Sequence, residues 1–378
     1  VFSFFDTLRF AGYGFSMYIV RFFAPFGLSN YYPYPNETGE GTGGMVYTAG
    51  LLGMVVFLGL GIWAARRMRV VGFGVGFYCI TLILVLQFVA VGRVIMADRY
   101  SYLPHVGLLF MLTYLVEVYL LKDDPRKRWV WWGLASVFAI FCLMRTREQT
   151  KVWTNSETLW KNAISLYPKS RDPYEALGNW YGEQNRIDEA AQYTEKAIQN
   201  GSDKSGSYSG LANAYAIKMK TAPDTTGRAA KLAQIGALYA RAIELEPNNA
   251  DNYLNRAVTF LEFDPTRALE DLNKADAMQP ALHTKILINR GATLINLKRN
   301  EEAVGELNRA LEAIEASGAE RNTPEMQENR KVVLRNRAVA RFNSGDKSGA
   351  VEDIRKALAL DGKDPVTVGL ARAMGEGK

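Results

Sequence analysis

The chain has 378 residues and a formal net charge of +6, room for two or three domains. Residues 1–148 carry 13 Lys and Arg against 8 Asp and Glu, whereas residues 149–378 carry 32 against 31. The second half is therefore almost neutral and has no basic run, which excludes nucleic acid as a partner. Its cysteines, Cys79 and Cys142, lie inside apolar runs, and His105 and His283 stand alone. Neither a disulfide framework nor a metal site is expected from that pattern, and no cofactor is implied.

The opening "VFSFFDTLRF" has no initiating Met and no signal-peptide layout, so it reads as part of a longer chain. Residues 10–28 are apolar apart from Arg21 and end in "APFGLSNYYPYP". Arginine within a membrane helix is costly, so Arg21 either faces a protein interior or wet cavity, or snorkels to the interface. Residues 45–65 and 70–92 are uncharged for about 20 residues, long enough to cross a hydrocarbon core of roughly 30 Å. Residues 105–121 and 129–144 are shorter runs that flanking residues complete. The expectation for residues 1–148 is an all-α, multi-span transmembrane helix bundle of about five spans.

Lys and Arg in the short loops set the orientation. "RRMR" (66–69) and "KDDPRKR" (122–128) hold seven basic residues on alternate turns of the zigzag, and residues 29–44 hold none. Those two clusters are expected to face the cytoplasm. The "YYPYP" loop, "ADRYSYLP" and everything after Met144 then face the periplasm or a lumen. Trp129, Trp131 and Trp132 suit an interfacial aromatic belt.

Residues 149–170 form a connecting half-repeat with Trp160, Ala163 and Pro168 in second-helix places. Residues 171–378 recur with a period of about 34, the mark of stacked helical hairpins. The first unit gives Tyr174, Leu177, Gly178, Tyr181, Ala190 and Ala197; later ones give Tyr208, Leu211, Ala212 and Tyr215, then Tyr253, Ala257, Ala268 and Ala275, then Gly291, Ala303, Leu307 and Ala310, then Ala338, Ala350, Ile354 and Ala357. This pattern resembles the tetratricopeptide repeat across residues 171–365, in about five units. Small residues let paired helices approach, and large ones fill the wedge between hairpins. Such a superhelix offers a concave face to a protein or peptide. Asn179, Asn213, Asn255 and Asn289 are the candidate contacts, with the alternative that they bond only within the stack. No nucleophile motif is visible in this half.

"DRYSYLP" (98–104) opens a membrane run on the outward side. Arg99 there suits an anionic lipid-linked phosphate, because guanidinium stays charged and bonds phosphate in pairs. Tyr100 and Tyr102 add hydroxyls, Arg93 a second cation, and Pro104 is expected at the first helical position. The competing reading is a local Asp98–Arg99 salt bridge fixing a turn.

Taken with "YYPYP" after the "P-x-x-L" of Pro25–Leu28, and with "W-x-N-S-x-x-L-W" at Trp153–Trp160, the chain resembles the transmembrane and tetratricopeptide-repeat O-mannosyltransferases and their bacterial relatives, glycosyltransferases of the GT-C class. The resemblance implies a polyprenyl-phosphate sugar as donor, membrane lipid as surroundings and a protein acceptor recruited by the repeats. It also implies direct displacement, with a carboxylate as base and cations on the departing phosphate. The family's acid lies on a first outer loop with no counterpart here; Asp6, Glu37 and Glu40 do not match it, so the catalytic residue is unassigned. A membrane-anchored repeat scaffold for envelope complexes is the alternative, and a polysaccharide polymerase or ligase component a third.

The charge pattern predicts that residues 150–378 lie outside the cytoplasm. A reporter active only in the cytoplasm, fused after Lys378, is expected to be silent; strong activity would reverse the orientation.

Overall fold

The computed structural model describes residues 2–38, 44–86, 88, 94–122, 124–221 and 226–375. It divides into two compact units, residues 1–202 and 203–378.

The first unit begins with α1 (Phe4–Phe23), capped by Ser3, whose hydroxyl accepts the Asp6 N–H at 3.1 Å. Next come α2 (Met45–Ala65) and α3 (Arg69–Ile83). After them α4 (Tyr102–Leu115) continues as a π-helical turn to Leu121. Close helix approach in an apolar medium needs small residues. A Cβ added to Gly12 of α1 would lie 2.5 Å from Leu51 Cα, and one on Gly50 of α2 would lie 2.5 Å from Tyr13 Cα. Only glycine allows that crossing. Phe15, Tyr18, Tyr78, Leu82 and Met96 fill the core between these helices.

Three helices are long and apolar enough to cross a membrane: Met45–Ala65, Tyr102–Leu121 and α5 (Pro125–Val152). The five expected spans thus reduce to three among the described residues. Of the run 70–92, residues 70–83 lie on a shorter apolar helix, Arg69–Ile83, and residues 87 and 89–92 lie outside the described residues. The first run lies on a helix that starts earlier and carries Asp6 and Arg9 as well as Arg21.

Two very short strands, β1 (Tyr32–Pro33) and β2 (Val94–Met96), pair antiparallel with Tyr32 opposite Met96. Helices α6 (Ser156–Leu166), α7 (Arg171–Glu183) and α8 (Ile187–Gln199) complete the unit. The half-repeat and first hairpin therefore belong to the same unit as the apolar helices. The Tyr31 hydroxyl bonds Ser170 Oγ at 2.9 Å and donates to Asp172 at 3.3 Å, and Asn162 Nδ2 donates to the Leu28 carbonyl at 3.1 Å.

The second unit is a series of tetratricopeptide-type hairpins: α9 (Ser205–Thr221) with α10 (Arg228–Leu245), α11 (Ala250–Phe260) with α12 (Pro265–Met278), α13 (His283–Asn296) with α14 (Asn300–Ala316), and α15 (Pro324–Asn343) with α16 (Lys347–Leu360). A short α17 (Pro365–Ala373) packs Leu370, Ala371 and Met374 on the last pair. The small residues expected at helix contacts are there: Ala212, Ala257, Ala268, Ala275, Ala303, Ala310, Ala338, Ala350 and Ala357 are buried. Gly291 sits where a Cβ would meet Leu307 Cγ at 2.5 Å.

The triplet Asn-Arg-(Ala/Gly) recurs at 255–257, 289–291, 308–310 and 336–338; on the first helices its arginine reaches carboxylates of neighbouring helices, whereas Arg309, on a second helix, pairs with Glu306 of its own helix. Arg256 forks onto Asp271 at 2.7 and 2.8 Å, Arg290 reaches Asp276 at 3.0 Å and Glu306 at 3.1 Å, and Arg337 forks onto Asp353 at 2.6 and 2.8 Å. Asp353 is fully buried and also accepts from Arg341 at 3.0 Å.

Breaking a buried pair by removing one partner leaves an uncompensated charge. Asp353→Ala is therefore expected to cost about 3–5 kcal/mol. Glu352→Ala, which breaks an exposed pair with Lys356, is expected to cost under about 1 kcal/mol. Denaturant unfolding followed by circular dichroism separates the two; equal effects would refute the clamp.

Candidate functional site

The site lies in the first unit, where α1 ends, β2 turns and α4 begins. Pairing of β1 with β2 brings the "YYPYP" loop beside Asp98, which opens a single 3-10 turn over Asp98–Tyr100. The Asp98 carboxylate accepts the Tyr32 hydroxyl at 2.9 Å and the Ser29 N–H at 3.0 Å. Arg21 Nη1 stands 3.8 Å from the same carboxylate, donates to Tyr32 Oη and to the Gly27 carbonyl at 3.0 Å, and its guanidinium lies 4.3 Å from the Tyr32 ring centre. Of the two readings of Arg21, the interior one describes its surroundings. The three side chains form a clasp. Burial pushes the Asp98 carboxyl above its ordinary value; Arg21, Tyr32 and Ser29 oppose it and are outweighed. Burial, then Asp98, pushes the Tyr32 phenol up as well.

Arg99 points the other way. Its guanidinium is exposed, lies 4.8 Å from the Tyr100 ring centre, and has no carboxylate in ion-pair range among the described residues. The competing Asp98–Arg99 salt bridge is not formed: the carboxylate is taken by Arg21, Tyr32 and Ser29. Tyr100 is half-buried against the helix core, and Tyr102 is 76% exposed. Arg93 lies outside the described residues. Pro104 is the third residue of α4, not the first; its missing N–H is still one that a first turn leaves without an acceptor.

Arg99 and Tyr102 line a cleft of about 430 Å³, with Asp98 and, from α5, Thr146, Gln149 and Trp153. It shares Asp98, Tyr102 and Gln149 with an adjoining cleft of about 340 Å³ lined by Arg21, His105, Arg145, Phe22 and Phe138. Arg145 is paired with Glu148 at 2.5 Å. Three arginines thus line the joined clefts, and Asp98 is the acid among their described lining residues. Cationic and apolar side chains line both: Arg21 and Arg145 stand with Phe22 and Phe138 in one, and Arg99 with Leu28 and Trp153 in the other.

The four repeat asparagines occupy different settings. Asn179 is exposed on α7 of the first unit. In the second, Asn213 accepts the Tyr239 hydroxyl within its hairpin, and that phenol is pushed up to about 12 by burial. Asn289 Nδ2 donates to the Lys285 carbonyl of its own helix at 2.8 Å, and Asn255 is half-buried. The arginines after Asn255 and Asn289 were the more informative residues, and the recurring triplet was the signal.

No family model matches the chain, and no curated protein matches it. Among solved structures it is similar to YrrB, described as a TPR protein with an unusual peptide-binding site, at 17% identity and a TM-score of 0.41, over 58% of this chain and 100% of that one. A MamA structure (AMB-1) gives 20% identity and a TM-score of 0.38 over 50% and 98%. Pseudomonas aeruginosa pilF gives 16% and 0.40 over 55% and 85%.

Asp98 tests the clasp. A carboxyl whose pKa is raised on folding stabilises most below its unfolded value, and that contribution is lost as pH rises through the raised value. Asp98→Asn cannot ionise and is expected to flatten this dependence in thermal unfolding between pH 4 and 8. Asp98→Ala is expected to cost about 1–3 kcal/mol by stranding Tyr32 and Ser29. Arg99→Ala is expected to change stability by no more than about 0.5 kcal/mol. Equal losses for the two alanine variants would refute the division of roles.

Proposed function

We propose that this chain serves a polyprenyl-phosphate-sugar-dependent membrane glycosyltransferase, holding the donor's phosphate and recruiting a protein acceptor through its repeats. The observation that carries the reading is the exposed Arg99, with no carboxylate in ion-pair range, at a cleft whose walls mix arginines with apolar side chains. A lipid phosphate needs both. In this reading Arg99 bonds the phosphate, Tyr102 supplies a hydroxyl, Tyr100 holds the guanidinium plane, and Arg93 adds charge. The cleft and repeats lie on the periplasmic or lumenal side, and the asparagines of the first helices, Asn179, Asn213, Asn255 and Asn289, meet the acceptor peptide.

Cations that meet developing negative charge on a leaving phosphate lower the barrier to its departure. The base that deprotonates the acceptor is unassigned, since Asp98 is committed to the clasp. That commitment favours a second reading: a membrane-anchored tetratricopeptide-repeat scaffold for envelope protein complexes, with the cleft occupied by ordinary anionic lipid.

Binding of a short-chain polyprenyl phosphate to the purified protein in nanodiscs tests the proposal. Arg99→Ala is expected to weaken it about tenfold or more, and Arg99→Lys, which keeps the charge without the planar fork, to fall between. Undiminished binding by well-folded Arg99→Ala would sink the phosphate role. Equal binding of phosphatidylglycerol would support the scaffold reading instead.

A further inference from the structure

At the end of α4 away from Arg99, the π-helical turn and the first turns of α5 form a shallow pocket of about 300 Å³. Leu120 and Leu121 make one side; Arg126, Lys127, Val130, Trp131 and Leu134 make the other. The α5 residues fall on successive turns, cations on the first and apolar side chains on the next two. Arg126 and Lys127 are exposed, and among the described residues neither has a carboxylate in ion-pair range. Of the acids nearby, Asp124 caps α5 by accepting the Arg126 N–H at 2.9 Å, and Glu117 is paired with Arg128 at 2.6 Å. The Tyr119 hydroxyl donates to Met68 Sδ at 3.4 Å, which brings the "RRMR" turn to the same end. Arg66, Arg67 and Arg69 of that turn are exposed, and Arg67 lies 4.8 Å from the Trp63 ring centre.

We propose that this pocket binds an anionic glycerophospholipid, its phosphodiester on Arg126 and Lys127 and an acyl chain along Val130, Trp131 and Leu134. The guanidinium bonds phosphate oxygens in pairs, and the ammonium beside it adds a point charge. The "RRMR" arginines strengthen the field that draws an anionic headgroup to this end of the helices. The apolar lining decides between a lipid and a soluble anion. Both helices are long and apolar enough to cross a membrane, and no residue of α5 is buried. A free phosphate would use the two cations and leave the apolar side chains facing water, whereas a lipid covers both. The site is separate from the cleft at Arg99, because the 20 residues of Tyr102–Leu121 put about 30 Å between them. It holds whether or not Arg99 meets a polyprenyl phosphate.

The test uses the full chain in phosphatidylcholine nanodiscs that contain a small fraction of phosphatidylglycerol or phosphatidylcholine with brominated acyl chains. Bromine quenches indole fluorescence on contact, and the difference between wild type and Trp131→Phe isolates the signal of the pocket. Phosphatidylglycerol is expected to be favoured over phosphatidylcholine at Trp131 by about tenfold. Arg126→Gln combined with Lys127→Gln is expected to bring the two lipids to parity. Both positions are exposed and glutamine suits a helix, so folding is not at risk. Arg147→Gln combined with Lys151→Gln removes the same charge at the far end of α5 and is expected to leave the preference unchanged. Equal quenching by the two lipids in wild type would overturn the proposal, as would a far-end pair that lowers the preference as much as the near-end pair. Loss of the preference in sodium phosphate, but not in sodium chloride of equal ionic strength, would assign the pocket to a soluble anion and overturn it too.

Discussion

A buried carboxylate has to find donors, and Asp98 finds them in two neighbouring segments far from it in sequence. Tyr32 and Ser29 come from the loop after α1, and Arg21 from the last turn of α1 itself. Without them the charge would be stranded in an apolar surround, at a cost of several kcal/mol. With them, the loop, the β2 turn and the start of α4 are held at one place. Arg99 owes its freedom to this arrangement. Because Arg21 serves Asp98, the neighbouring arginine is left facing the cleft.

The repeats solve a similar problem differently. Arg256 and Arg337 sit on the first helices of their hairpins, each with a carboxylate 15 or 16 residues further along the chain, on the second helix. Such pairs add little net stability over a well-packed apolar pair, but they tolerate few alternatives in register. The alanines around them set how closely the helices approach; the ion pairs fix which residues face which.

Much of the fold was legible because it rests on local spacing. Small residues about 34 apart declare the hairpins, and the uncharged runs 45–65 and 129–144 declare helix 45–65 and the middle of helix 125–152. The run 70–92 begins on the apolar helix Arg69–Ile83, and its last residues lie outside the described ones. The clasp was not legible. Asp98 lies 66 residues from Tyr32, and strands of two and three residues leave no periodic trace. The reading of "DRY" as a local ion pair failed for that reason. Among the asparagines, Asn255 and Asn289 drew notice by their spacing, while the adjacent Arg256 and Arg290 carried the contacts. Nothing in composition separates a buried arginine from an exposed one until its partner is known.

The 28 residues of α5 give it a length of about 42 Å. That exceeds a hydrocarbon core of roughly 30 Å, and its last turns, with Arg145, Thr146 and Gln149, carry one wall of the clefts. The other wall stands on α1 and α4, which are about 30 and 21 Å long before the π-helical turn. α5 outreaches both of these helices, and none of its own residues is buried by them, so its apolar surface is left to whatever surrounds the chain.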